Sequence, residues 1–136
     1  MKAMLPLIAQ ALVALSLSSP AQAQDAMTGE EFESYTKGQT FYFAEDGVPY
    51  GGEEYLNNRR VRWSFLGGEC KEGYWYEDNR RICFVYEDLN GPQCWSFVKE
   101  AEGLRATFYG PVPASELYEV IKTDDPLNCP GPEVGV

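Results

Sequence analysis

The sequence predicts an all-β domain: a small antiparallel meander, closed into a barrel or folded as a sandwich, with one short N-terminal helix. Stretches in which apolar and polar residues alternate recur along the chain, and turn residues separate them about every ten residues. A helix-capping pattern precedes the first of these stretches. The barrel is the more attractive form because closure removes the exposed strand edges that favour aggregation.

The N-terminal helix is predicted by its two ends. Thr28 and Glu31 have the spacing of a capping box, in which each side chain bonds the backbone N–H of the other residue. Phe32 and Tyr35 follow at helical spacing, and Gly38 is a good stop signal. We therefore expect one short helix between Thr28 and Gly38.

The strands are predicted by alternation. In one example Val61, Trp63 and Phe65 alternate with polar residues, which is typical of a half-buried strand. The stretch 117–121 fits either a strand or one turn of helix, and we favour the strand. The total is then about seven or eight short strands. The remaining predicted strands lie within 41–43, 74–76, 82–86, 94–98 and 104–108.

The first residues have the pattern of a secretory signal peptide. A positive charge at Lys2 is followed by an apolar run over 4–17 and by the small-residue triplet Ala21-Gln22-Ala23. The run is shorter than the roughly 20 residues of a membrane-spanning helix, which disfavours a membrane anchor, and we also disfavour a buried helix. We expect cleavage of the signal peptide, residues 1–23, after about Ala23. Residues 24–136 then form a single β domain that is not inserted in a membrane.

All four cysteines follow the predicted cleavage site. An even number in an exported chain predicts two disulfides, because the compartment is oxidising. A zinc site of four thiolates is the alternative, and the absence of the usual C-x2-C spacing disfavours it. Several pairings are open, and we favour one in which Cys129 ties the C-terminal tail to the body. The predicted disulfide residues are Cys70, Cys83, Cys94 and Cys129.

Composition excludes several classes of function. The formal net charge of −10 repels nucleic acids and anionic membrane surfaces, so neither is an expected partner. The chain has no histidine, so a Ser–His–acid triad and a Cys–His pair are impossible. We expect a protein that is not an enzyme and that uses no metal or cofactor.

The acidic residues leave two weaker possibilities. A glycosidase-like pair of carboxylates needs a cleft and a raised pKa, which a sequence does not show. Calcium could bind at an irregular site, although the D-x-[DN]-x-[DN]-G loop is absent. The acids cluster near predicted turns and termini, so Glu53 and Glu54 among others are interpreted as solvated charge.

A basic cluster is a candidate binding site in this acidic chain. If the strands that carry it lie side by side, its guanidinium groups could hold an anion or carboxylate through bidentate contacts. We favour the alternative, cross-strand pairing with neighbouring acids. The tryptophans Trp63, Trp75 and Trp95 are interpreted as core residues rather than as a platform for a ligand. The candidate arginines are Arg59, Arg60, Arg62, Arg80 and Arg81.

Several segments carry a likeness to other proteins: RVRWSF (60–65), GYWY (73–76), ICFVYED (82–88) and QCW (93–95), with CPGP in the tail. They resemble segments of uncharacterised small exported proteins of alphaproteobacteria. The resemblance spans most of the chain after the signal peptide and implies a periplasmic location, but no activity. A second likeness is architectural: the expected domain is similar to lipocalin-like barrels, including periplasmic inhibitors of secreted metalloproteases.

These observations favour a binding role. We expect a non-catalytic periplasmic module that binds a protein, as an inhibitor or an envelope accessory factor, because many bulky aromatics in a short chain predict a filled barrel interior. The alternative is a barrel that carries or senses an apolar or aromatic small molecule. A carboxylate-based hydrolase ranks third. An apolar cavity would favour the small-molecule role, and a packed interior would favour the protein-binding role.

Overall fold

The alternating stretches form eight antiparallel strands in the computed structural model, which describes residues 25–110 and 115–129. The predicted signal peptide, residues 1–23, lies outside the described residues. The strands are β1 (Thr40–Glu45), β2 (Val48–Tyr55), β3 (Arg60–Phe65), β4 (Lys71–Asp78), β5 (Arg81–Tyr86), β6 (Gln93–Glu100), β7 (Gly103–Phe108) and β8 (Glu116–Thr123).

The sheet is closed. Each strand pairs with its neighbours in the sequence, and β1 pairs with β8 as well. Of the two predicted forms, the barrel is therefore confirmed over the sandwich. The stretch 117–121 lies in β8, which confirms the strand over the helical turn.

The strand β2 is not predicted by the sequence patterns. Its Gly51-Gly52 and Glu53-Glu54 pairs interrupt any alternation of apolar residues, and both residue types are uncommon in strands. The strand forms because it pairs with β1 on one side and with β3 on the other. Tertiary pairing here outweighs local propensity.

Gly51 and Gly52 leave room for other side chains to pack closely against the two faces of β2. A Cβ atom on Gly51 would lie 2.7 Å from Cζ2 of Trp63, whose indole ring occupies the inner side. A Cβ atom on Gly52 would lie 2.8 Å from Cδ1 of Leu127, which belongs to the C-terminal segment on the outer side. Carbon atoms do not approach so closely, so the observed packing needs glycine at both positions.

Helix α1 (Gly29–Thr36) lies across the end of the barrel at which β2–β3, β4–β5 and β6–β7 connect. The predicted capping box is present: the Thr28 N–H donates to Oε2 of Glu31 at 2.8 Å, and the Glu31 N–H donates to Oγ1 of Thr28 at 3.2 Å. Phe32 is fully buried among the core aromatics. Its ring contacts Tyr55, Trp75, Phe84 and Phe97, at centroid distances of 4.5–6.4 Å.

Both predicted disulfides are present, as Cys70–Cys129 and Cys83–Cys94. The first ties the C-terminal segment to the β3–β4 loop, as favoured for Cys129. The second joins residues that lie opposite each other on β5 and β6. All four sulfurs are therefore used, so the alternative of a four-thiolate zinc site is wrong. Two disulfides fit an oxidising environment.

Candidate functional site

A cavity of about 240 Å³ lies inside the barrel, at the end away from α1. Buried side chains line its inner part, and its outer part reaches the loops β3–β4 and β5–β6. The interior is therefore not filled throughout, contrary to the expectation drawn from the aromatic content. The inner lining consists of Phe43, Glu53, Tyr55, Phe84, Tyr86, Phe97, Ala106 and Leu117.

Glu53 is the single charged residue that is buried in the described part of the chain, with 2% of its surface exposed. Its interpretation as solvated charge is therefore wrong. Both carboxyl oxygens lie near the Tyr86 hydroxyl oxygen, at 2.9 and 3.1 Å. A phenol donates one proton, so this hydroxyl serves one carboxyl oxygen at a time. Within 25–110 and 115–129, no lysine or arginine forms a salt bridge with Glu53.

The barrel interior changes the acidity of this group. Burial raises the pKa of Glu53 well above its ordinary value, because the charged form loses its hydration, and the hydrogen bond from Tyr86 offsets this only in part. Burial also raises the pKa of the Tyr86 and Tyr55 hydroxyls, and the charge of nearby Glu53 raises both further. The site thus holds a carboxyl group that favours its neutral form beside two neutral phenols.

Aromatic rings form much of the cavity wall. The Trp63 ring lies 5.8 Å from that of Tyr50 and 5.7 Å from that of Phe65, between centroids, and all three residues line the cavity. Trp95 lines it from β6. The interpretation of the tryptophans as core residues is confirmed for Trp75, which is buried. Trp63 and Trp95 are half-buried and form cavity wall.

The mouth of the cavity carries more negative than positive charge. Glu69, Asp88 and Lys71 line it, and Nζ of Lys71 lies 3.3 Å from Oδ2 of Asp88. Phe65 and Leu89 are exposed beside these charges. An entering molecule therefore meets apolar surface and a net negative charge.

Two of the five candidate arginines pair across strands, which is the alternative favoured from the sequence. Arg60 and Arg62 on β3 both contact Glu72 on β4, at 3.8 and 3.1 Å between nitrogen and oxygen. Arg62 also lies 3.5 Å from Glu54 on β2. These acids sit on neighbouring strands of the barrel, so the pairs cross the sheet.

The other three arginines each have a different neighbour. Arg59 contacts Glu33 of α1 at 3.2 Å, and its guanidinium group lies 4.4 Å from the Trp75 ring centroid. Nη1 of Arg80 donates to the Ala26 carbonyl oxygen at 3.3 Å. The Arg81 guanidinium group lies over the ring of Tyr109. The five arginines are thus spread over separate contacts, and the residues that line the described cavity do not include them.

Two further properties concern the described residues only. They contain no group of three or more cysteine, aspartate or glutamate side chains placed to hold a metal ion. Nor do they include a helix with the length and apolar character needed to cross a bilayer.

No protein-family model, curated protein or solved structure matches this chain. The resemblance to exported alphaproteobacterial proteins therefore stays a prediction. Function has to be inferred from the cavity and its side chains.

A signal in the sequence does point to the strand that carries Glu53, but not to the face on which its side chain lies. Asp46-Gly47 is a strong hairpin turn, and a hairpin needs a second strand after the turn. In the observed register Glu53 lies opposite Phe41, which is fully buried. Residues directly opposite on paired strands point to the same face. A regular hairpin drawn from this turn would instead pair Glu53 with Thr40. The register shift between Phe43 and Ala44 moves Glu53 opposite Phe41 and so turns its side chain to the inner face.

Proposed function

We propose that this protein is a small-molecule-binding β-barrel, a carrier or sensor that takes an apolar or aromatic ligand into its cavity. The observation that carries the proposal is the cavity of about 240 Å³, with its aromatic walls and the polar pair Glu53 and Tyr86. Ligand sites are typically concave and mostly apolar, with a few polar groups that orient the ligand.

This proposal reverses the order of the two binding roles predicted from the sequence. Protein binding was favoured there because a filled interior was expected. A cavity lined by Phe43, Phe84 and Trp63 supports the small-molecule role instead. The Glu53 carboxyl group, with Tyr86 as its single described donor, retains capacity to bond a ligand.

The test is native mass spectrometry of the protein purified gently from its own host. We expect a tightly bound small mass on a chain that begins at Gln24. Ala106→Met should lose that mass, because the longer side chain enters the cavity from β7. Thr107→Met is the matched control: the next residue on the same strand points outward and should leave the ligand in place.

The proposal is contradicted if the wild-type chain carries no bound mass, or if both variants keep the ligand equally.

Protein binding remains the second candidate, and a specific feature favours it: Val48, Phe65 and Leu66 are all more than half exposed. They belong to the start of β2, the end of β3 and the residue that follows β3, on the same side as the cavity mouth. A co-purifying protein on an otherwise empty chain would place this candidate first.

We also infer a non-catalytic role in the periplasm. The two disulfides support the location, because disulfides form and persist in an oxidising compartment. A carboxylate-based hydrolase would need a second carboxyl group positioned with Glu53. The described acids Glu69 and Asp88 also line the cavity, but both are exposed at its mouth. Catalysis therefore stays third.

A further inference from the structure

The Glu53 carboxyl group has a free acceptor position and no described counter-ion. Its oxygens share the single Tyr86 proton, and the salt bridges within the described residues do not include it. A buried carboxylate without a positive partner is strongly unfavourable. A positively charged ligand would form an ion pair with the Glu53 carboxylate and so offset the free energy lost by burying that charge.

The walls of the cavity are suited to the same charge. The faces of tryptophan and tyrosine rings attract cations, most strongly where water is excluded. This chain already makes such contacts elsewhere, with Arg59 over Trp75 and Arg81 over Tyr109, at 4.4 and 4.3 Å from the ring centroids. The rings of Tyr50, Trp63 and Trp95 line the cavity.

The charges around the entrance favour cations over anions. Glu69 and Asp88 line the mouth with Lys71 as the one positive group among its described lining residues, and Lys71 is paired with Asp88. Glu45 is close enough to Tyr50 to raise the pKa of that phenol, behind the effect of burial. The whole chain has a formal net charge of −10. Such a field attracts cations and repels fatty acids and other organic anions.

We propose that the ligand is an organic cation with an apolar body, an ammonium compound whose positive nitrogen pairs with the Glu53 carboxyl group while its hydrocarbon part lies against the aromatic walls. This inference rests on the proposed small-molecule function. On binding, the Glu53 proton passes to solvent and the resulting carboxylate balances the charge of the ligand. The titratable groups next to Glu53 are Tyr55 on β2 and Tyr86 on β5, Tyr50 lines the same cavity, and all three phenols stay neutral.

Three probes of similar shape separate charge from hydrophobicity: benzyltrimethylammonium, its neutral isostere neopentylbenzene and the anion 3-phenylpropionate. Binding is followed by the fluorescence of the wall tryptophans Trp63 and Trp95 and by titration calorimetry. For the wild type we expect the cation to bind at least about tenfold more tightly than the neutral probe. The anion should bind more weakly than either. These comparisons need no variant.

Two variants then assign the preference to one carboxyl group. Glu53→Gln should abolish the preference for the cation and keep the neutral probe bound, which also shows that the variant is folded. Glu54→Gln, the adjacent residue on the outer face of β2, should keep the preference.

Each outcome bears on one of the two proposals. A neutral probe that binds as tightly as the cation, or a preference that survives Glu53→Gln, overturns the cation inference and leaves the small-molecule function standing. Failure of all three probes, together with an empty chain in native mass spectrometry, overturns both.

Discussion

The Glu53 carboxyl group is buried with one hydrogen-bond donor, and its burial lowers the stability of the folded protein. The closed barrel surrounds it, and the Tyr86 hydroxyl is its single described donor. Burial raises its pKa well above the ordinary value of 4.5, so the folded protein holds a proton that the unfolded chain releases. Folding stability must therefore depend on pH through this residue.

The sign of that dependence is opposite to that of a salt-bridged acid. At a pH well below 4.5 both states are protonated and Glu53 has no effect on the pH dependence. As the pH rises toward the raised pKa, the unfolded state loses its proton first, so stability falls by at most about 1.4 kcal/mol per pH unit. The free energy of unfolding of Glu53→Gln, relative to wild type, should increase with pH across this window.

Urea unfolding at a series of pH values measures this difference. Glu54→Gln is the control, because its side chain lies on the outside of the same strand beside Arg62, and it should not show the same rise. A difference between Glu53→Gln and wild type that stays constant with pH would mean that the barrel does not hold the Glu53 proton.

At the scale of elements, helix α1 decides which end of the barrel stays open. Its capping box sets its start, and Phe32 inserts from it among four core rings. The helix thus occupies one end of the interior, and the cavity lies toward the other end. Arg59 strengthens the attachment by its contacts with Glu33 and Trp75.

Removing the Phe32 ring should test how firmly the helix belongs to the barrel. Phe32→Ala should cost about 3–5 kcal/mol of unfolding free energy, because it leaves a cavity among packed rings. Phe65→Ala is the matched control: the residue is 57% exposed at the other end, and loss of its ring should cost about 1 kcal/mol or less. Phe32→Leu keeps most of the volume and should be intermediate, so the comparison survives if Phe32→Ala does not fold.

Urea unfolding curves give these three values on one scale. A loss below about 1 kcal/mol for Phe32→Ala would mean that α1 opens independently of the barrel.

At the scale of the whole molecule, two covalent links reinforce a hydrogen-bonded barrel in different ways. Cys83–Cys94 joins residues 11 positions apart on adjacent strands, whereas Cys70–Cys129 spans 59 positions. The longer link holds the segment in which Leu127 packs on Gly52 and its N–H donates to Glu54 at 3.1 Å. That link therefore restricts the unfolded chain more and covers the outer face of β2.

The two links should differ in their contribution to stability. The chain-entropy model assigns about 4 kcal/mol to the Cys70–Cys129 loop and about 3 kcal/mol to the Cys83–Cys94 loop. We expect the double variant Cys70→Ala with Cys129→Ala to lose about 4 kcal/mol in urea unfolding. Its counterpart at Cys83 and Cys94 is the comparison. A long-range variant as stable as wild type would show that the C-terminal segment is held by packing alone.

Local patterns in the sequence were sufficient for much of the fold. The Thr28–Glu31 spacing predicted the helix cap, the alternation at Val61, Trp63 and Phe65 predicted β3, and the cysteine count predicted that all four would pair. These features depend on residues close together in the chain or on composition alone. The closed barrel was one of two predicted forms, because strand patterns do not specify how the first and last strands meet.

Long-range pairing decided the rest. Strand β2 forms only because β1 and β3 hold it, and its register turns Glu53 inward although its local sequence resembles solvated charge. The cavity and the partner of each cysteine likewise depend on residues far apart in the chain, such as Tyr86 beside Glu53 and Cys129 beside Cys70. Burial and pKa depend on such long-range contacts, so the candidate site could not be identified from the sequence alone.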